Sequence, residues 1–108
     1  MKEINFRAYL NEENNRNDAT LRKACLNGDI RKVKRLIKSG TNVNAKGIND
    51  YTPLYFACRT GNMEIIKLLM DNGAKDSVNV VADQGNSPMM WAEEYKNKEM
   101  MDLLTKKQ

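Results

Sequence analysis

Few residues of this 108-residue chain are of the types that perform covalent or metal chemistry. The sequence contains no histidine, so the commonest general base and metal ligand is missing. Its two cysteines, Cys25 and Cys58, stand alone, without the CxxC spacing of a metal or redox site. The sequence also lacks a phosphate-binding glycine loop, a Gly-x-Ser-x-Gly elbow and an acidic calcium loop. We therefore predict that the protein is not an enzyme and has no cofactor, metal or small-molecule substrate.

The adjacent carboxylates Glu93 and Glu94 do not change this prediction. Two carboxylates that act as acid and base must face one site, whereas neighbouring residues of a helix point in different directions. We interpret this pair as ordinary surface charge.

The densest charge lies in residues 31–38, which read Arg-Lys-Val-Lys-Arg-Leu-Ile-Lys in a chain of net charge +4. One interpretation is a solvated helix with Val33, Leu36 and Ile37 turned inward. The other is a docking strip for an acidic protein, RNA or anionic lipid, whose binding would depend strongly on salt. No aromatic residues interleave these charges, which argues against a stacking platform for single-stranded nucleic acid.

The two cysteines belong to a pattern that recurs along the chain. Seven residue types return after 33 positions, and a third copy follows after 35, so the chain is predicted to be a stack of similar units. The pairs are Leu21 and Leu54, Ala24 and Ala57, Cys25 and Cys58, Gly28 and Gly61, Val33 and Ile66, Leu36 and Leu69, and Gly40 and Gly73.

The middle unit carries the clearest local signals. Thr52 is a suitable N-cap for a helix whose first residue is Pro53 and which extends to about Arg59. Asn62 is predicted to cap a second helix, and Gly73 to end it in a left-handed conformation. In the outer units, Asp29 and Asn97 are the predicted caps of the second helices. Ser87-Pro88 precedes the first helix of the third unit, and Gly40 follows the second helix of the first unit.

These units resemble ankyrin repeats. The resemblance covers about residues 18–104 and rests on Thr52-Pro53-Leu54-x-x-Ala57, on Gly61, on Leu68-Leu69-x-x-x-Gly73-Ala74 and on Val78-Asn79. It implies an all-α solenoid of helix–turn–helix units joined by β-turn or hairpin loops. The first unit departs from the family pattern, with Ala19-Thr20 in place of Thr-Pro.

We expect one domain over residues 1–108. Residues 1–17 are predicted to be an N-terminal capping helix and linker, because Phe6, Tyr9 and Leu10 follow the spacing of a second helix. Residues 18–46 are predicted to form repeat 1, residues 47–81 repeat 2, and residues 82–108 a C-terminal capping repeat.

The resemblance implies binding of another protein through the hairpin tips and the concave face of the first helices. Tyr51 and Arg59 are the strongest candidates, since aromatic and guanidinium groups are enriched in binding hot spots. Trp91 aligns with Phe56 and is predicted to pack instead. The family's variable contact positions correspond to Asp18, just before the first helix, and to Leu26, Asn27, Ile48, Asn49, Tyr51, Arg59, Thr60, Asp83, Gln84, Asn86, Glu94 and Tyr95.

Two alternative functions stay open at this point. One is an electrostatic adaptor that uses the basic segment on nucleic acid or an acidic surface, and the other is a dedicated inhibitor of a toxin or an enzyme.

The charged N-terminus and the lack of a long apolar segment predict a cytoplasmic, soluble protein without signal peptide or membrane span. We expect a monomer with both cysteines free and buried, since neighbouring units lie about 10 Å apart, too far for a disulfide.

Overall fold

The computed structural model describes residues 6–106, with side chains from residue 16 onward. Its six α-helices form three antiparallel pairs, and no β-strand occurs in that range. In chain order the helices are α1 (Phe6–Asn27), α2 (Ile30–Lys38), α3 (Pro53–Thr60), α4 (Met63–Asp71), α5 (Pro88–Glu94) and α6 (Lys98–Thr105).

The pairs stack in chain order. The first helix of each pair packs against the first helix of the next, so that α1, α3 and α5 form one row and α2, α4 and α6 form the other. The core lies between the two rows and repeats with the sequence pattern, as in the fully buried pair Leu21 and Leu54 and the buried pair Leu36 and Leu69. Stability therefore comes from contacts between neighbouring pairs.

The predicted caps are confirmed. Asp29, Thr52, Asn62 and Asn97 each accept a hydrogen bond from the backbone amide three residues later, at 3.0 to 3.2 Å. Each bond satisfies one of the amides that a helix leaves unpaired at its first turn. Ser87 does the same for Met90 at 3.3 Å.

The first helix is longer than the predicted unit boundary. Asp18, which we expected just before the first helix, lies inside α1, so that expectation is wrong. The physical reason is local, because Ala19-Thr20 offers neither the cap nor the proline that starts α3 and α5. The backbone from Phe6 onward is helical without a linker. Residues 1–5 and the side chains of the predicted capping residues Phe6, Tyr9 and Leu10 lie outside the described part, so capping stays a prediction.

The loops that join the pairs contain short turns. A short 3₁₀ turn at Ile48–Asp50 forms the first tip, and the second connection accommodates its two additional residues with a 3₁₀ turn at Ala74–Ser77. We call residues 45–51 and 80–86 the tip loops. Together with the exposed sides of α1, α3 and α5 and with Tyr95, the C-cap residue of α5, they form a surface that we call the inner face.

Candidate protein-interaction surface

Exposed apolar side chains are distributed unevenly over the molecule. Five large apolar residues are exposed in the described part of the chain, and all five lie on the inner face. Exposed apolar surface that clusters on one side of a protein is typical of an interaction site. The residues are Leu26 at 42%, Ile48 at 87%, Val81 at 54%, Met90 at 44% and Tyr95 at 44% of full exposure.

The tip loops are held by backbone hydrogen bonds. The amide of Gly47 donates to the Tyr51 carbonyl at 2.8 Å, and the amide of Ala82 donates to the Asn86 carbonyl at the same distance. A third bond, from the Asp83 amide to the Asn49 carbonyl at 2.9 Å, joins one tip loop to the next. The exposed side chains of the two tips are thus presented by one connected backbone.

Aromatic rings form a chain along the inner face. Tyr51 lies 4.8 Å from Tyr55 and 5.4 Å from Phe56 between ring centroids, while Tyr55 contacts Trp91 edge-on at 6.1 Å. Trp91 continues to Tyr95 at 5.7 Å. Offset and edge-on pairs of this kind stabilise aromatic clusters. The prediction that Trp91 packs is consistent with these contacts.

Tyr51 and Arg59 differ in how they sit on this surface. Tyr51 is half-buried by its two aromatic neighbours, whereas the side chain of Arg59 is exposed at the end of α3. The Tyr95 hydroxyl donates to the backbone carbonyl of Arg59, which joins α5 to α3. The exposed Arg59 guanidinium forms no hydrogen bond or ion pair with the other described residues and is carried by a fixed backbone, while only part of Tyr51 is accessible.

The remaining predicted contact residues occupy less uniform positions. Asp18 is half-buried in α1, and burial raises the pKa of its carboxyl although Arg22 acts in the opposite direction. Asn86 is half-buried in the second tip loop, and Thr60 donates its hydroxyl to the Phe56 carbonyl at 3.0 Å. Exposed positions are held by Asn27, Asn49, Asp83, Gln84 and Glu94.

A groove on the inner face lies between α1, the first tip loop and α3. Three of the predicted residues meet there, and three lining residues were not among the predicted contacts. The register of the repeats aligns two of these, Lys23 and Phe56, but the groove itself depends on how two units pack. Its lining consists of Arg22, Lys23 and Leu26 of α1, Ile48 and Tyr51 of the loop, and Phe56 of α3.

Of the two charged residues that line this groove, Arg22 is the one whose side chain is held by a hydrogen bond. Its Nη1 donates to the backbone carbonyl of Ala45 at 3.2 Å. The guanidinium lies against Gly47, where an added Cβ would come within 2.5 Å of Nε. A Cβ at residue 47 would require the end of the flexible Arg22 side chain to shift, and the Arg22 hydrogen bond connects α1 to the first tip loop.

The basic segment forms the outer side of the first pair. Val33 and Leu36 of α2 are buried and Ile37 is half-buried, as the solvated-helix interpretation predicts. No carboxylate among the described residues forms an ion pair within 4.0 Å with the five cations of this helix. We call these five residues the basic strip: Arg31, Lys32, Lys34, Arg35 and Lys38.

The groups that could support covalent or metal chemistry are poorly suited to it. Cys25 and Cys58 are free thiols in the core, and burial raises the pKa of each to about 12, which keeps them protonated and unreactive. Among residues 16–106, no group of three or more cysteine and acidic side chains could hold a metal ion. Within the described helices, none is long and apolar enough to cross a membrane.

Comparison with known proteins agrees with this architecture. The family model for ankyrin repeats, in three copies, matches residues 21–108, and the chain belongs to the ankyrin-repeat family. Ankyrin repeats are in general protein–protein interaction modules and typically non-enzymatic.

Several curated proteins are similar over part of the chain. The mouse protein "Ankyrin repeat, SAM and basic leucine zipper domain-containing protein 1" is 41% identical over 58 residues, which is 54% of this chain and 12% of that protein. "Ankyrin repeat domain-containing protein 40" of mouse is 33% identical over 70 residues, 64% of this chain and 19% of that protein. The matched region is thus less than a fifth of each relative's length.

Proposed function

We propose that this chain is a non-catalytic module that binds a partner protein through its inner face. The observation that carries the proposal is the placement of all five exposed large apolar residues on that face. None of them lies on α2, α4 or α6 within the described part of the chain. Because apolar surface gains free energy when it leaves water, this is the side on which association is most favourable.

The hydrogen bonds of the tip loops add a second argument. A surface that is already ordered before binding loses little conformational entropy when the partner arrives. The bond between Asp83 and Asn49, and the one from Tyr95 to the Arg59 carbonyl, order this face across two repeats. Specificity then depends on the exposed side chains that this backbone carries.

The proposal is tested by a pair of double variants. Partners are captured on the immobilised protein at low and high salt, identified by mass spectrometry, and their affinity is measured by calorimetry. We expect Arg59→Ala with Met90→Ser to weaken a stoichiometric partner by about 2 kcal/mol, roughly 30-fold in Kd. Lys67→Ala with Lys75→Ala changes two exposed residues away from the inner face and should leave affinity unchanged.

Both variants change exposed side chains, so circular dichroism should show the helical content of the parent. A partner that is bound equally well by both double variants would contradict an inner-face interaction.

A second candidate function is electrostatic, and the basic strip favours it. Five positive charges and no negative one lie on α2, more than the net charge of +4 of the whole chain, so the rest of the chain carries a net −1. The other outer helices mix both signs, with Glu64, Lys67 and Asp71 on α4. The strip is the region where an acidic partner would find unpaired cations.

Charge reversal separates this function from binding at the inner face. Lys34→Glu with Arg35→Glu should abolish binding to an acidic partner at the strip and barely affect an inner-face partner. Material that is held through the strip should also be released by high salt, because screening weakens exposed charge contacts. Retention by the charge-reversed protein at high salt would rule out the strip as the binding site.

A further inference from the structure

The groove between α1, the first tip loop and α3 combines apolar walls with a positive rim. Leu26, Ile48 and Phe56 supply apolar surface, and Arg22 and Lys23 supply the charges. Among the described residues, no carboxylate lines it. A purely apolar ligand would leave Lys23 without a counter-charge, and a purely acidic one would leave the apolar walls in water.

The two cations are available to a ligand. Arg22 uses one N–H in its bond to the Ala45 carbonyl, and a guanidinium has five such donors. Lys23 is exposed and forms no ion pair with the described carboxylates. Asp18 lies one turn before Arg22 on the same helix, outside the lining of the groove.

The walls of the groove are fixed before anything binds. Tyr51 rests on Tyr55 and Phe56, and Tyr55 is itself only 3% exposed. On the other side, Arg22 lies against Gly47 and holds the loop to α1. Ile48 lies on this loop and is the most exposed large apolar side chain among the described residues.

We propose that the groove binds a partner segment that places one bulky apolar side chain between Leu26, Ile48 and Phe56, with an aspartate or glutamate beside it. Lys23 and Leu26 are three residues apart on α1, so their Cβ atoms are about 5–6 Å from one another. An extended segment advances about 3.3 Å per residue, which puts the carboxylate within two residues of the apolar one. This inference rests on the proposed protein-binding function and specifies the chemistry of the partner.

The probe is a random library of 12-residue peptides displayed on phage and selected against the full chain. We expect the selected peptides to share a Leu, Ile, Met or Phe with an acidic residue one or two positions away. One such peptide is then synthesised with a fluorophore, and its Kd is measured by fluorescence anisotropy at low ionic strength.

Groove variants should weaken this peptide, and matched variants elsewhere should not. Ile48→Ser should raise Kd at least fivefold and Lys23→Glu at least threefold. Val81→Ser changes the exposed apolar residue of the other tip loop, and Lys67→Glu reverses an exposed charge on α4; both should leave Kd unchanged. Replacing the peptide carboxylate by lysine should restore binding to the Lys23→Glu protein, which loss of folding could not produce.

Several outcomes would overturn the inference. These are a library that yields no enriched peptide, a consensus that lacks either the apolar or the acidic residue, and binding that is insensitive to Ile48→Ser and Lys23→Glu. Loss of the peptide on charge reversal at Lys34 and Arg35, with the groove variants unaffected, would assign it to the basic strip and also overturn the groove.

The proposed protein-binding function does not require that the partner bind in the groove. A natural partner that is weakened by Arg59→Ala with Met90→Ser but unaffected by Ile48→Ser binds the inner face outside the groove. A partner that is indifferent to all three substitutions contradicts both proposals.

Discussion

At the scale of single residues, the two tip loops have equivalent backbone hydrogen bonds but different turn conformations, since Asn49 and Asp50 both have positive φ in the first loop and only Gly85 does in the second. Asp50 occupies the position of Gly85 in the next loop, and both have positive φ, 64° and 84°. The left-handed region carries a steric penalty for a residue with a Cβ, although aspartate tolerates it better than most. Asp50 is therefore a position where the sequence is suboptimal for its backbone.

Asp50→Gly is expected to stabilise the protein by about 0.5 kcal/mol, because relief of the left-handed strain exceeds the added entropy of the unfolded chain. Gly85→Ala is the matched control and should destabilise by about 1 kcal/mol. An added Cβ at Gly85 would meet no atom within 4 Å, so its effect reports backbone strain, offset in part by the lower entropy of the unfolded chain, without a steric clash. Urea unfolding measures both, and a neutral Gly85→Ala would refute the strain argument.

The two buried thiols should make the free energy of unfolding depend on pH in the alkaline range. Burial raises the pKa of Cys25 and Cys58 from 9.0 to about 12, so the folded state holds protons that the unfolded state releases. The free energy of unfolding should therefore be unaffected by these groups below pH 9 and should fall as the pH rises from about 9 to 12.

This pH dependence is measured as the urea midpoint between pH 8 and pH 10.5. The double variant Cys25→Ala with Cys58→Ala should have lower stability but a flatter pH profile, since it retains every other titrating group. If the urea midpoint changes equally with pH in the parent and in the variant, the thiols do not contribute to the pH dependence of stability.

At the scale of elements, side chains of the loops tie one repeat to the next. Asn44 donates through Nδ2 to the Gly73 carbonyl at 2.9 Å, and its Oδ1 accepts from the Ser77 hydroxyl. Ser77 is almost completely buried, so its hydroxyl depends on this partner. The equivalent of Asn44 in the next unit is Asn79, which is exposed.

Asn44→Ala should destabilise the protein by about 1–3 kcal/mol, because the buried Ser77 hydroxyl and the Gly73 carbonyl lose their hydrogen-bond partner. Asn79→Ala makes the same chemical change at the exposed equivalent and should stay within about 0.5 kcal/mol of the parent. Thermal unfolding followed by circular dichroism compares the two. A similar loss of stability in both would indicate that asparagine matters here for the loop conformation rather than for the contact between repeats.

At the scale of the whole molecule, three stacked pairs are close to the smallest number that supports a stable array. No pair can bury its core face alone, so we expect the repeats to unfold together. Trp91 is the single tryptophan and lies in the third repeat, where its fluorescence reports local unfolding. Far-UV circular dichroism reports all six helices at once.

Leu69→Ala removes a fully buried side chain from the middle repeat and should cost about 2–5 kcal/mol. Because unfolding is cooperative, the urea midpoint of Trp91 fluorescence should fall by the same amount as the midpoint of circular dichroism. Glu64→Ala alters an exposed residue of the same helix and serves as the control. A fluorescence midpoint that precedes the circular dichroism midpoint would show that the third repeat unfolds on its own.

The amino-acid sequence was sufficient to predict the repeat and its local signals. Thr52, Asn62 and Asn97 cap helices as predicted, and Leu21, Leu54 and Leu69 are buried as their spacing requires. Each of these outcomes depends on residues within one or two helical turns of each other, so the pattern of residue types carries the information. The start of the first helix was harder, because Asp18 lies in a stretch with no capping signal.

Only the tertiary structure decided how the candidate surface is composed. Tyr51 was predicted as one of the strongest contact residues from its aromatic side chain, yet Tyr55 and Phe56 cover part of it. The groove beside it brings Lys23 of α1 close to Ile48 of the next unit. Such pairs lie some 25 residues apart in the sequence, and no short-range pattern specifies the distance between them. That distance depends on how the side chains of two neighbouring repeats pack, which the periodicity of a single repeat does not contain.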